Sequence, residues 1–454
     1  MSQHASGDRE EVGYPASRYS WYVVSVLTLT YAVSFIDRQV MALMIEPIRH
    51  DLGISDTQVS LLIGLAFAIF YVLLGVPIGR LADRYSRRVI IASGITIWCV
   101  MTATCGLARN FGQLFLARVG VGVGEGTLSP AALSLISDYF PKRTRVRAIA
   151  VYNMGILLGS GLAMIVGGEV ITYVANAPPL RLPVVGELFA WQTVFIFLGL
   201  PGLVMAALMA TVREPRRRES LSAGAGSALQ LPLAEVVRFL LARWRMYVSH
   251  FLGLSAVATL AYALFAWIPT MFIRTWGWSI GEVGIAYGVV ILLAAPLSAL
   301  SAAWLSEYLL ARGYRDAHMR AALVLAVIAA ISAVAAALVP SPWIGVALLL
   351  PASVGTTAAT ACALTALMTI TPNQMRAQAS AIYYLVVNVF GLTMGPTGVA
   401  LFTDYVFGDP LALRYSIVCV SVLAGVFTAG LLFYNLHQFR NAVTESQTWA
   451  DATS

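Results

Sequence analysis

Residues 21–47 read WYVVSVLTLTYAVSFIDRQVMALMIEP, an almost wholly apolar run with Asp37 and Arg38 side by side in its second half. As a helix rising 1.5 Å per residue, such a run is long enough to cross ~30 Å of hydrocarbon. A charge at mid-membrane costs at least ~2.5–3.5 kcal/mol even on the gentlest insertion scale. Packing alone could be met by leucine, so the pair implies work.

Eleven further apolar stretches follow, giving twelve: 21–46, 57–80, 88–108, 111–138, 147–171, 190–210, 246–274, 281–306, 320–339, 343–370, 376–403 and 412–436. Hydrophobic residues make up 59% of the 454 positions and charged residues 11%, against about 25% charged in ordinary soluble proteins. A soluble fold has no use for so many uncharged helices. The expected class is therefore an all-α polytopic membrane protein. The first 20 residues are polar with mixed charge and show no removable signal peptide, so the first helix is its own insertion signal. Cys99, Cys105, Cys362 and Cys419 all fall inside spans without ligand spacing, which reads as small apolar filler.

Arginine and lysine set the orientation. With the amino terminus inside, 22 of the 29 Lys and Arg fall on inward segments and 5 on outward loops. That bias predicts both termini in the cytoplasm, and it explains the net charge of +7 by anionic lipid without any nucleic acid. The expected organisation is a cytoplasmic tail over 1–20, a six-helix bundle over 21–211, a linker over 212–245, a second six-helix bundle over 246–436 and a tail over 437–454. The linker is charged, then Ser/Gly/Ala-rich, and ends in LAEVVRFLLARW, which predicts a short amphipathic helix on the inner membrane surface. RAIAVYNMGILLGSG in the fifth span and RAQASAIYYLVVNVFGLTMGP in the eleventh hold equivalent places, as in a duplicated, pseudo-symmetric architecture.

The loop after the second span, GVPIGRLADRYSRRVI at 75–90, matches the signature G-x-x-x-D-R-x-G-R-R through Gly79, Asp83, Arg84, Arg87 and Arg88. It departs at Ser86, where glycine is usual. On these residues the chain resembles the major facilitator superfamily. The resemblance implies two six-helix bundles working by alternating access, with Gly79, Asp83, Arg84 and Arg88 forming a cytoplasmic gate joined by Asp138. Plain positive-inside anchoring is the competing reading for the arginines. The matching loop of the second half, LSEYLLARGYRDAHMR, is degenerate.

The fourth span, FLARVGVGVGEGTLSPAAL at 115–133, carries Arg118 and Glu125 seven residues apart, so both project from one helix face two turns apart. Alternate glycines between them permit close helix packing. Counted from the outer ends of their helices, Asp37 lies ~13 Å deep and Arg118 ~12 Å, which predicts that the two face each other. Glu125 falls ~10 Å deeper. A carboxyl in low dielectric prefers its proton and a nearby arginine favours the charged form. A conformation-dependent pairing would therefore suit proton coupling. Asp37 and Glu125 are the expected proton sites, with Arg118 and Arg38 as charge partners and anion contacts; Arg38, about 100° round the helix from Asp37, is expected to meet a different partner.

The first-span motif FIDRQVMALMIEPIRHDLGISDTQVSLL, the loop GRLADRYSRRVII and LARVGVGVGEGTLSPAALSLISDYFPKRTR further resemble the Spinster family over roughly residues 30–170. That resemblance implies proton-driven transport of an amphipathic lipid such as a lysophospholipid or sphingoid phosphate. Tyr262, Trp267, Thr357, Thr360, Tyr383 and Asn388 are the expected cavity residues of the second half, with a lipid-facing position the alternative for Trp267. A small organic anion is the alternative cargo. No HExxH, GxSxG or P-loop occurs, so neither an enzyme nor ATP drive is expected. The remaining expectations are a proton gradient as energy source with no cofactor or metal, membrane lipids as neighbours, a bacterial inner-membrane location and a monomer.

Overall fold

A computed structural model describes residues 14–183, 186–217 and 232–451; some side chains within this range, including those of 69–76, Gly79 and Asp83, lie outside the description. The described chain is helical apart from one small hairpin, β1 (Arg181–Leu182) with β2 (Gly186–Glu187). Eleven of its helices are long and apolar enough to cross a membrane. The expected second span is instead two helices meeting at Gly64.

The described chain folds as two compact units: within residues 14–54, 65–217 and 280–288 lies the first, and within 55–64, 232–279 and 289–451 the second. Helices α1 (Ser17–Leu43), α2 (Ile45–Leu52), α4 (Leu65–Arg84), α5 (Arg87–Cys105), α6 (Phe111–Glu125), α7 (Leu128–Tyr139), α8 (Lys142–Asn176) and α9 (Ala190–Thr211) build the first unit. To the second belong α3 (Asp56–Ile63), α10 (Leu233–Ala242), α11 (Trp244–Trp276), most of α12 (Ile280–Ala311), α13 (Ala317–Leu338), α14 (Pro342–Ile370), α15 (Arg376–Leu401) and α16 (Leu413–Asp451). The predicted tail boundaries shift accordingly. Helix α1 begins four residues before the apolar run, and α16 continues well beyond residue 436 as one helix.

Small residues set helix spacing in the first unit. In α8 the Gly155–Gly159 pair lets that helix approach α1 so closely that a Cβ on either would lie 2.6 Å from a backbone oxygen, of Thr28 or Ala32. Tyr31 and Tyr152 stack beside this contact with centroids 4.7 Å apart. The glycines of α6 act likewise: a Cβ on Gly122 would meet the Phe67 carbonyl at 2.7 Å, and one on Gly124 the Trp98 amide at 2.6 Å. Small-xxx-small packing of this kind replaces the hydrophobic drive that lipid removes. The fourth span then breaks just after Glu125, where Thr127 N–H bonds back to the Gly124 carbonyl at 3.2 Å and its hydroxyl donates to the same oxygen at 2.8 Å.

In the second unit α11 is the central helix, packed on α15 and α16. Gly395 lets α15 come against α11, with the Thr259 carbonyl 2.7 Å from where a Cβ would stand. Pro396, one residue on, cannot donate to the Leu392 carbonyl. That oxygen would overlap any Cβ placed on Gly64, so a glycine is required at the end of α3. Helix α3 is bound firmly into this unit. Buried Asp56 takes a two-pronged ion pair from Arg274 at 2.6 and 2.8 Å, while Thr57 donates its amide and hydroxyl to Asp404 at 2.7 and 2.6 Å.

Candidate functional site: intramembrane charges and a buried arginine latch

Four charged side chains meet within the membrane-spanning part of the first unit. Asp37 and Arg38 come from α1, Arg118 and Glu125 from α6. Adjacent on their helix, Asp37 and Arg38 point about 100° apart and find different surroundings. Asp37 is buried, and the Thr102 hydroxyl of α5 donates to its Oδ2 at 2.6 Å. Among the described residues it makes no ion pair. Arg38 turns to Glu125, with Nε 2.6 Å and Nη2 2.5 Å from the same Oε2, and its guanidinium lies 4.2 Å from the Phe67 ring centroid. The Glu125 side chain is fully buried, and its Oε1 has no partner.

Arg118 is the exception. Its side chain is 1% exposed, yet Nε and Nη1 make no hydrogen bond. Leaving a buried donor unmade costs ~1–3 kcal/mol, more for a charged group. Asp37 and Glu125 are within its electrostatic reach without touching it. Asp37 and Arg118, expected to face each other, lie within electrostatic reach but form no ion pair: Asp37 accepts from Thr102, and the arginine that meets a carboxylate is Arg38. Depth arithmetic from Cα positions missed this because two extended side chains close a ~10 Å step between levels.

The loop after the second span holds a latch that centres on a different arginine from those expected. Arg87 is 2% exposed. It donates to Asp138 Oδ2 at 2.5 Å, to Glu214 Oε1 at 2.8 Å, and to the Ser134 carbonyl and hydroxyl at 3.0 Å. Glu214 also accepts from the Arg88 amide at 3.0 Å and from the Ser86 hydroxyl at 2.9 Å. Serine in place of the usual glycine thus adds a donor to the cluster. Arg88 contributes through its backbone and through Nη1 to the Val212 carbonyl at 3.2 Å. Arg84 points outward into an exposed position. The gate expected at Gly79 and Asp83 falls on side chains outside the description. Glu214 and Arg217, expected in a free linker, are docked: Arg217 donates to the Ala82 and Tyr85 carbonyls at 2.8 Å. The acidic residue just past the sixth span, in REP, was the available signal for Glu214.

Burial pushes the Glu214 carboxyl upward, but the Arg88 amide, Arg87, Ser86 and the Arg87 charge outweigh it and hold it below the ordinary glutamate value. Its contribution to stability is complete above about pH 4.3 and is lost as pH falls through the lower folded value. Melting temperature measured between pH 6 and pH 3.5 should therefore fall less steeply in Glu214→Gln than in the parent. Parallel curves would show that the latch is not what Glu214 stabilises.

The second unit departs further from expectation. Trp267 is fully buried, and its Nε1 donates to the Pro396 carbonyl at 2.8 Å, tying α11 to α15. Tyr383 is also fully buried, its ring 5.8 Å from His250 and its hydroxyl unpartnered, so it belongs to the core. Tyr262 donates to Asn388 Oδ1 at 3.1 Å, and both keep some exposure. Thr360 bonds back to its own helix at Thr356, while Thr357 is exposed. The Asp56–Arg274 pair was missed because each residue reads as an ordinary loop or helix-end charge. Among the described residues no group of His, Cys, Asp and Glu suits a metal ion.

Comparison with known proteins agrees with this architecture. The sequence pattern described as Major Facilitator Superfamily matches residues 27–396. An MFS-type efflux pump of Mycolicibacterium smegmatis is 27% identical over 96% of both chains. The sphingosine-1-phosphate transporter SPNS2 of Xenopus tropicalis is 28% identical over 60% of this chain; the match spans about half of that protein's length, 49%. In structure, a bacterial homologue of the human lysosomal transporter Spinster, solved inward-facing and unoccupied, superposes with a TM-score of 0.78 at 27% identity, covering 95% of this chain and 98% of that one.

Proposed function

The chain belongs to the Major Facilitator Superfamily, and from that premise we propose that it is a proton-coupled secondary transporter moving an amphipathic lipid with an anionic headgroup by alternating access. The observation that carries this reading is the contrast within the charge cluster. Arg118 is a buried guanidinium with donors to spare, as a phosphate or carboxylate receptor requires. Asp37 is a buried carboxyl held by one hydroxyl, so it can take up and release a proton without breaking an ion pair. Glu125 differs, since gaining a proton would dissolve its bond to Arg38. We assign Asp37 as the principal proton carrier and Glu125 as the group whose pairing follows the bound anion.

The likeness to Spinster over nearly the whole chain, and to a transporter named for sphingosine-1-phosphate, supports a lipid cargo. The arginine bias supports an orientation with both ends in the cytoplasm. Proteoliposomes carrying an internal pH dye, given a lysophospholipid on one side, test the reading. Lipid-dependent proton flux is expected in the parent and should be lost in Asp37→Asn and Glu125→Gln. Unchanged pH dependence in Asp37→Asn would remove it as the proton site. Flux with small carboxylates and none with lipid would keep the proton sites and replace the cargo with an organic anion.

A further inference from the structure

We propose that the corner where α10 meets α11 and α16 binds the phosphate of an anionic phospholipid, such as phosphatidylglycerol, as a resident ligand that is not transported. A cavity of about 420 Å³ opens there, bounded by Arg243, Trp244 and Arg245 on one side and Gln438, Asn441 and Glu445 on the other. Both walls stand at span ends: one apolar span begins at Trp244 and another finishes at Glu445. The cavity therefore sits at the level of lipid headgroups, whichever leaflet that is.

Its chemistry suits a single phosphodiester. Two guanidiniums against one carboxylate leave a net charge of +1, and two side-chain amides add neutral donors. Arg243 is ion-paired to Glu445 and braced 4.2 Å above the Phe239 ring, so its fork is already oriented. Arg245 lies 5.7 Å from the Trp244 ring. A zwitterionic lipid brings its own cation to a site that is already positive, so anionic lipid is the better match.

The apolar side matches too. Helix α10 turns Val236 and Leu240 into the protein, where they pack in the same core cluster as Met246 and Tyr247. It nonetheless leaves Leu233 59% and Leu241 62% exposed, and Trp244 beside them 54%. A helix apolar on its outward face as well needs a hydrocarbon cover, and acyl chains hanging from a phosphate at Arg243 would supply it. Tryptophan at this level is the usual anchor between headgroup and chain.

The test uses the full-length chain in neutral detergent, titrated with phosphatidylglycerol or phosphatidylcholine. Melting temperature and native mass spectrometry report the bound lipid. Phosphatidylglycerol should stabilise the protein and survive as a one-to-one adduct, with phosphatidylcholine doing neither. Arg243→Gln with Arg245→Gln should weaken binding about tenfold or more. Glu445→Gln should tighten it, because the carboxylate both competes for Arg243 and repels the phosphate. That opposite sign separates the proposal from simple damage to the fold. Arg118→Gln should leave phosphatidylglycerol binding unchanged, which distinguishes this site from the one proposed for cargo. Equal binding of both lipids, full binding by the double variant, no gain in Glu445→Gln, or loss of binding in Arg118→Gln would each overturn the assignment.

Discussion

Replacing Arg87 by alanine should destabilise the protein by about 3–5 kcal/mol, because it leaves two carboxylates, Asp138 and Glu214, facing the space of a lost cation. The Asp138 side chain is 6% exposed and that of Glu214 28%, so solvent relieves the second more than the first. The Ser134 carbonyl and hydroxyl lose a donor at the same time. For a unit of roughly 200 residues this corresponds to a fall in melting temperature on the order of 10 °C. Arg87→Lys should recover only part of the loss, since one ammonium cannot reproduce the fork that reaches Asp138 through Nη1 and Glu214 through Nε. Arg84→Ala, at an exposed position of the same motif, should stay within about 0.5 kcal/mol of the parent. Equal losses at Arg84 and Arg87 would show that the motif is held by its overall charge and not by this buried latch.

Replacing Arg38 by methionine should cost about 3 kcal/mol, toward the lower end of the range for a broken buried pair because Arg38 keeps 19% of its side-chain surface. Glu125, fully buried with Oε1 already unpartnered, would lose its remaining bonds. Glu125→Leu should cost a similar amount by removing the carboxylate that balances the guanidinium over the Phe67 ring. The double variant Arg38→Met with Glu125→Leu should regain most of the stability, since matched apolar side chains often replace a buried pair without penalty. It should nevertheless stay without lipid-driven proton flux. Stability restored with flux absent would show that the pair is retained for transport. Flux restored in the double variant would reduce it to a brace between α1 and α6.

Much of this molecule was legible along the chain. Apolar runs of 20 or more residues dictate spans because insertion sums hydrophobicity locally, residue by residue. The charges of IDR, the glycines of the fourth span and the GRLADRYSRR loop also stood out, since each is costly or conformationally special where it occurs. Gly122 and Gly124 meet neighbouring backbones as their spacing predicts. The break in the second span at Gly64 was invisible, because the carbonyl that demands a glycine there belongs to Leu392.

Partner choice was decided only in three dimensions. Arg38 and Glu125 are 87 positions apart, Arg87 and Glu214 127, and Asp56 and Arg274 218. Helix periodicity fixes the direction in which each Cβ points, but a long side chain reaches several ångströms from there, so adjacent Asp37 and Arg38 meet different helices. Trp267 shows the same limit for burial, as its composition suits a lipid boundary and its contact with the Pro396 carbonyl places it inside. The sequence by itself determined the membrane class, the spans and which of them hold charges, because these depend on local free energy. Only tertiary structure decided which charge is satisfied and which is left open at Arg118, because that depends on contacts the chain makes with itself at long range.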